Sequence, residues 1–151
     1  MRHLDQKETR RHIRATGLDR PRGSGFAFRD RLRNTVYDWH EHAYHQLTYA
    51  TAGATQIETA DGRHLLPSGR AAWIPAGVRH RTLLGEVDGA SLYFAPDAVK
   101  APGHRVRILC GGALMHEMIQ HAVRWPLGAA EVDPIAASFF KSLALLCGEW
   151  L

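Results

Sequence analysis

The chain has 151 residues, 45% of them hydrophobic and 23% charged, with a formal net charge of +4. This is the composition of one globular domain large enough to hold a core without staples, and it excludes a disordered chain, a collagen-like chain and a coiled-coil rod. No apolar run is long enough to span a bilayer, and the N-terminal MRHLDQKETRRHIRATG has no apolar signal segment. A cytoplasmic protein without membrane contact is therefore expected. Cys110 and Cys147 fit that compartment, having neither CxxC spacing nor a disulfide framework.

The basicity is local. Residues 1–33 hold ten Lys and Arg against four Asp and Glu, while residues 34–151 hold nine against eleven. Residues 1–24 read as a basic arm ending in the Pro21-Arg22-Gly23-Ser24-Gly25 cluster, either solvated or resting on nucleic acid. No helix-turn-helix, zinc-finger or RNA-binding aromatic pattern appears anywhere in the chain.

From Phe26 to about Leu109 the chain consists of short β segments. Phe26 and Phe28 alternate with smaller or polar neighbours, and so do Leu47 and Tyr49 within His45 to Thr51. Ala54 to Thr59 and Arg63 to Leu66 flank Asp61-Gly62, a tight-turn dipeptide, which predicts a hairpin. Ala71 to Ile74, Ala90 to Ala95 and His104 to Cys110 complete the set. Many short strands separated by Gly/Pro turns predict a mainly β fold, an antiparallel barrel or jelly roll over residues 25–110.

After Gly111-Gly112 the period changes. Leu114, Met115, Met118, Ile119 and Ala122 recur at helical spacing up to Trp125-Pro126. Asp133 is a favourable N-cap before Pro134 at the first helical position, and opens a second α-helix carrying Ile135, Phe139, Phe140, Leu143, Leu146, Cys147 and Trp150. Phe139 and Phe140 project about 100° apart, so one flat contact cannot bury both. That face is expected to meet either the first helix or a second copy of the chain. The second helix carries no stop signal before Leu151.

The chemistry concentrates in Trp39-His40-Glu41-His42-Ala43-Tyr44-His45-Gln46. If extended, this segment projects His40, His42, Tyr44 and Gln46 from one face, and Glu41 and His45 from the other. A third imidazole comes from His80, after the Pro75-Ala76-Gly77 bend. Three imidazoles and an amide oxygen suit a borderline divalent ion such as Zn²⁺, Ni²⁺, Fe²⁺ or Mn²⁺, with one position left open. Tyr44, Trp39 and Tyr93 are the candidate ligand-cavity residues. His116 and His121, five apart on a helix, are not aligned to chelate and read as surface or interface residues.

The spacing is specific: HxH-x3-Q-x6-G from His40 to Gly53, then G-x5-P-x-G-x2-H from Gly69 to His80, with 15 residues between the two glycines. This resembles the two cupin motifs, except that Gln46 stands where the first motif usually has Glu, and Leu84 where the second usually has Asn. His45-Gln46-Leu47, Arg70 to His80 and Ala122-Val123-Arg124-Trp125 make residues 25–151 similar to the N-terminal sensor domain of AraC-type transcriptional regulators. The resemblance implies a cupin barrel binding a small effector or a metal, a helical segment over 111–151 forming a homodimer, and DNA bound only through a separate helix-turn-helix domain outside these residues. The alternative is a metal-dependent cupin enzyme, a dioxygenase or isomerase. A lack of carboxylates on the inward face, with Gln46 in place of Glu, argues for the sensor.

Overall fold

The computed structural model describes residues 1–30 and 34–151. Two five-stranded sheets face one another. One has the order β1-β3-β8-β5-β6 and the other β10-β7-β4-β9-β2. The strands are β1 (Arg2–Leu4), β2 (Gly25–Arg29), β3 (Thr35–His40), β4 (His45–Ala52), β5 (Ala54–Thr59), β6 (Gly62–Pro67), β7 (Ala71–Ile74), β8 (His80–Leu84), β9 (Asp88–Phe94) and β10 (Arg107–Leu109). All pairings are antiparallel except β1 on β3. The expected mainly β fold is thus a double-sheet jelly roll followed by helices, its sheets not joined into a closed barrel. The β5–β6 hairpin turns at Asp61-Gly62 as the sequence predicts. The segment expected to be extended from His104 is a strand only from Arg107.

The main core lies outside the roll. Leu47, Tyr49, Trp73, Leu92 and Phe94 alternate onto the outer face of the second sheet. There they pack against α2 (Gly112–Ala122) and α4 (Pro134–Trp150) through Met115, Ile119, Phe140, Leu143 and Cys147. Burying each such side chain stabilises the fold by about 1.5–3 kcal/mol. A one-turn helix, α3 (Ala129–Val132), interrupts the predicted pair. Asp133 caps α4 as expected, its Oδ1 accepting from Ile135 N–H at 2.8 Å. The broad apolar face of α4 is largely consumed within the chain. Phe140 and Leu143 are fully buried, and Phe139 packs on Trp125 and His121, so the intramolecular contact absorbs both phenylalanines.

The N-terminal arm, expected to be solvated or to rest on nucleic acid, is largely exposed but carries a strand and a helix. β1 adds to the edge of the first sheet, and α1 (Gln6–Ala15) lies across β3, held by Gln6 Nε2 donating to the Trp39 carbonyl at 2.9 Å. Asp5 and Glu8 form a capping box: Asp5 accepts from Glu8 N–H, and Glu8 accepts from Asp5 N–H. That D-x-x-E spacing is the local signal that reveals the helix.

Candidate functional site

The segment expected to be one continuous strand is broken. His40 ends β3, the chain crosses between the sheets over residues 41–44, and Gln46 lies at the start of β4. Convergence therefore comes from the sheet crossing, with alternation playing little part. His40 pairs directly across the ladder from His80 at the start of β8, beside a register shift in β3. Gly77, at φ +80°, turns the chain toward His80, and its N–H donates to the His42 carbonyl at 3.0 Å. His42 enters from the crossing. The ring centroids lie 4.3 Å (His40–His80), 5.2 Å (His42–His80) and 6.1 Å (His40–His42) apart. One ligand nitrogen from each lies within 4.8 Å of the others.

Backbone carbonyls set the tautomers. His40 Nδ1 faces the Asp38 carbonyl at 2.7 Å, His42 Nδ1 the Tyr44 carbonyl at 2.9 Å, and His80 Nδ1 the Val78 carbonyl at 2.8 Å. A carbonyl oxygen only accepts, so each Nδ1 carries the proton and each Nε2 keeps its lone pair. Burial, reinforced by the neighbouring imidazoles, keeps the rings neutral. It lowers the pKa of His40, pushes His42 down to about 4 and holds His80 well below the ordinary range. His80 Nε2 is buried without a hydrogen-bond partner among the described residues. An orphaned buried acceptor is costly, and an electrophile at this point would satisfy it.

Gln46 completes the donor set. Its Nε2 donates to Ser91 Oγ at 3.3 Å, and Ser91 Oγ lies 3.2 and 3.3 Å from the two carboxylate oxygens of Asp30. The Ser91 hydroxyl donates to the carboxylate, Ser91 in turn accepts from the Gln46 amide, and Gln46 Oε1 is left facing His42 Nε2 at 3.0 Å. Three Nε2 lone pairs and one carbonyl oxygen thus share a small space, and hydrogen bonds to the opposite atoms hold their orientation. Three mutually close imidazoles suit a borderline divalent ion, and Gln46 offers an oxygen beside His42. Such an ion would polarise, or present an open position to, a small molecule beside it.

The adjoining cavity has a volume of about 50 Å³. That is room for about three or four waters, well below the ~300 Å³ at which drug-sized pockets begin. Tyr93 lines it, together with Asp30, Tyr37, Thr48, Thr82 and Ser91. His12 and Ile13 of α1, with Leu18, form part of its wall.

The other expected cavity residues are placed elsewhere. Tyr44 is fully buried, but its hydroxyl donates to the Arg20 carbonyl and accepts from Arg22 N–H, both at 2.7 Å, which ties down the segment before β2. Trp39 is half-buried outside the cavity, with the Arg81 guanidinium 5.7 Å from its ring centre. His45, expected on the solvent side, is buried against Trp73. It accepts from Ala76 N–H at Nδ1 and faces the Pro96 carbonyl through Nε2. Asp30 was the missed residue. It follows β2 in an unremarkable Phe28-Arg29-Asp30 run, and only the pairing of β2 with β9 carries it to Ser91. The expectation of an inward face without carboxylates is corrected accordingly.

The fold and site define a small β domain with a small, partly open cavity of mixed lining and a metal-compatible histidine cluster. A family model of the AraC-like ligand binding domain matches residues 22–145, and the chain belongs to that family. Among solved structures it is similar to the AraC-like transcriptional activator CuxR, with TM-score 0.56 and 14% identity over 72% of this chain and 43% of that one. It is also similar to a cupin-2 domain protein from Shewanella frigidimarina, with TM-score 0.43 and 22% identity over 50% of this chain and 74% of that one. The chain therefore spans less than half the length of the activator. No curated protein sequence matches it. Among the described residues, no helix is long and apolar enough to cross a membrane.

Proposed function

We propose that the chain is the sensing part of an AraC-type transcriptional regulator. A divalent metal, Zn²⁺, Ni²⁺, Fe²⁺ or Mn²⁺, is held by His40, His42, His80 and Gln46, and a small effector occupies the adjoining cavity beside Tyr93. The effector acts through its differential affinity for two states of the domain, which a helix-turn-helix domain elsewhere in the regulator reads out on DNA. Two copies associate through the C-terminal helices. There Ile135 and Leu145 of α4 remain 70% and 69% exposed, with Val132 of α3 at 85% and Leu114 of α2 at 55%, and these apolar positions are open to a partner. The observation that carries the reading is the triple imidazole cluster with its carbonyl-locked tautomers, inside a domain of a ligand-binding family.

A second reading is a metal-dependent enzyme, and Asp30 favours it, because it supplies the cavity carboxylate that a proton-transfer step requires. Mass spectrometry of ligand recovered after incubation with metal-loaded protein separates the two. A sensor returns the ligand unchanged, whereas catalytic conversion would overturn the sensor reading.

A further inference from the structure

We infer that the outward face of α1 is a docking surface for the phosphate backbone of duplex DNA. This goes beyond the sensor reading, because it gives the domain a nucleic-acid contact of its own, independent of the metal and of the effector.

Lys7, Arg10, Arg11 and Arg14 stand at i, i+3, i+4 and i+7 of α1, and all four are exposed. That spacing gathers them on one stripe about 100° wide and about 10 Å long. With Gln6 they line one open concavity of the surface. The opposite face of the helix is spent on the body of the domain. Thr9 is buried there, its hydroxyl accepting from Asp38 N–H at 3.2 Å, and the His12 ring packs 5.0 Å from that of Tyr37. The helix is therefore fixed with its cations turned outward.

The carboxylates beside the stripe are already engaged. Asp5 caps the helix, while Glu8 accepts from Asp5 N–H and pairs with Arg2 at 3.5 Å. Arg22, at the end of the arm, pairs with Glu131. Among the described residues no carboxylate forms an ion pair with Lys7, Arg10, Arg11 or Arg14. Like charges three and four residues apart destabilise a helix, and a polyanion laid along the stripe offsets that repulsion.

Duplex DNA carries one phosphate charge per about 1.7 Å of its axis, so the stripe meets several phosphates at once. Three of the four cations are arginines, whose planar fork matches a phosphate through two parallel hydrogen bonds. An extended acidic peptide offers at most one charge per about 3.4 Å, half the density. A bilayer fits less well, because Ile13 faces the cavity wall and α1 keeps no large apolar side chain to insert.

The test follows a fluorescent duplex of about 20 base pairs by anisotropy, over a salt series, with the chelator-treated wild-type chain. The inference predicts binding at low salt, with log affinity falling against log salt at a slope of about −3 to −4. Arg10→Gln with Arg14→Gln, and separately Lys7→Gln with Arg11→Gln, should each weaken binding at least tenfold and reduce the slope by about 2. Glutamine is a good helix former, and melting curves check each variant. Lys100→Gln with Arg107→Gln removes the same charge from exposed positions elsewhere and should leave binding unchanged. No binding of the duplex at low salt, or an equal loss in the Lys100/Arg107 variant, would overturn the inference. So would unchanged binding in both α1 variants, or tighter binding of phosphatidylserine vesicles or polyglutamate than of the duplex. The protein is metal-free throughout, so failure here leaves the sensor reading standing.

Discussion

Gln46 Oε1 and His42 Nε2 stand 3.0 Å apart, although neither atom carries a proton. Two acceptors face each other because Asp30 and Ser91 hold the amide from behind and the Tyr44 carbonyl holds the imidazole. A proton between them is opposed by the burial that pushes His42 down to about 4. Either a metal ion between them or a flipped Gln46 amide that donates to His42 Nε2 makes the pair favourable.

Restoring the anionic ligand should strengthen the site. Gln46→Glu is expected to tighten zinc binding at least tenfold, since a charged ligand replaces a dipole at the same reach. Gln46→Ala should weaken it by a similar factor. Chelator competition measures both, and unchanged affinity in the two variants would remove Gln46 from the donor set.

The metal-free protein should show opposing pH dependences. The unfolded imidazoles take up protons near pH 6.5, but His42 resists until about 4, so its contribution is intact above pH 6.5 and is lost as pH falls through that window. Each such group changes stability by about 1.4 kcal/mol per pH unit. Asp30 has the opposite sign. Burial raises it from 3.8 to about 6, so its contribution is lost as pH rises from 4 to 6. Asp30→Asn should therefore be more stable than wild type at pH 7 by about 1–3 kcal/mol and lose stability more steeply on acidification. Urea unfolding in a chelator between pH 4 and 7.5 reads this, and superimposable profiles would contradict it.

Tyr44 should prove structural. Tyr44→Phe removes the contacts with Arg20 and Arg22, at a cost of about 1 kcal/mol. Proteolysis within residues 1–24 should become faster while zinc affinity stays at the wild-type value. A loss of zinc affinity would return Tyr44 to the site.

The C-terminal helix separates folding from pairing. Leu143 is fully buried within its own chain, so Leu143→Asp should unfold the domain by leaving a charge without a partner. Ile135→Asp and Leu145→Asp should leave melting unchanged and convert a dimer to a monomer in light scattering. A wild-type monomer at tens of micromolar would end the dimer proposal.

The strands and C-terminal helices were legible because alternation, Asp61-Gly62 and Asp133-Pro134 are local signals. His40, His42 and His80 were legible through their spacing around Pro75 and Gly77. The exact faces were not. A strand break at residues 41–44 turned Tyr44 away from the cavity, and period-2 reasoning has no means of locating such a crossing. Asp30 was invisible for a different reason: its role arises from β2 pairing with β9, a contact 61 residues apart in sequence. The helix within the arm was hidden because its charges outweighed the capping box at Asp5 and Glu8.

Zinc titration of metal-depleted wild type and His80→Ala, with chelator competition and absorption of the cobalt-substituted protein, decides whether the imidazole cluster holds a metal. One ion per chain is expected in the wild type, with nitrogen ligands at about 2.0–2.2 Å in a metal-soaked crystal, and at least a hundredfold weaker binding in His80→Ala with its fold retained. Wild type that takes up no stoichiometric metal at neutral pH, or His80→Ala that binds as tightly as wild type, would contradict it.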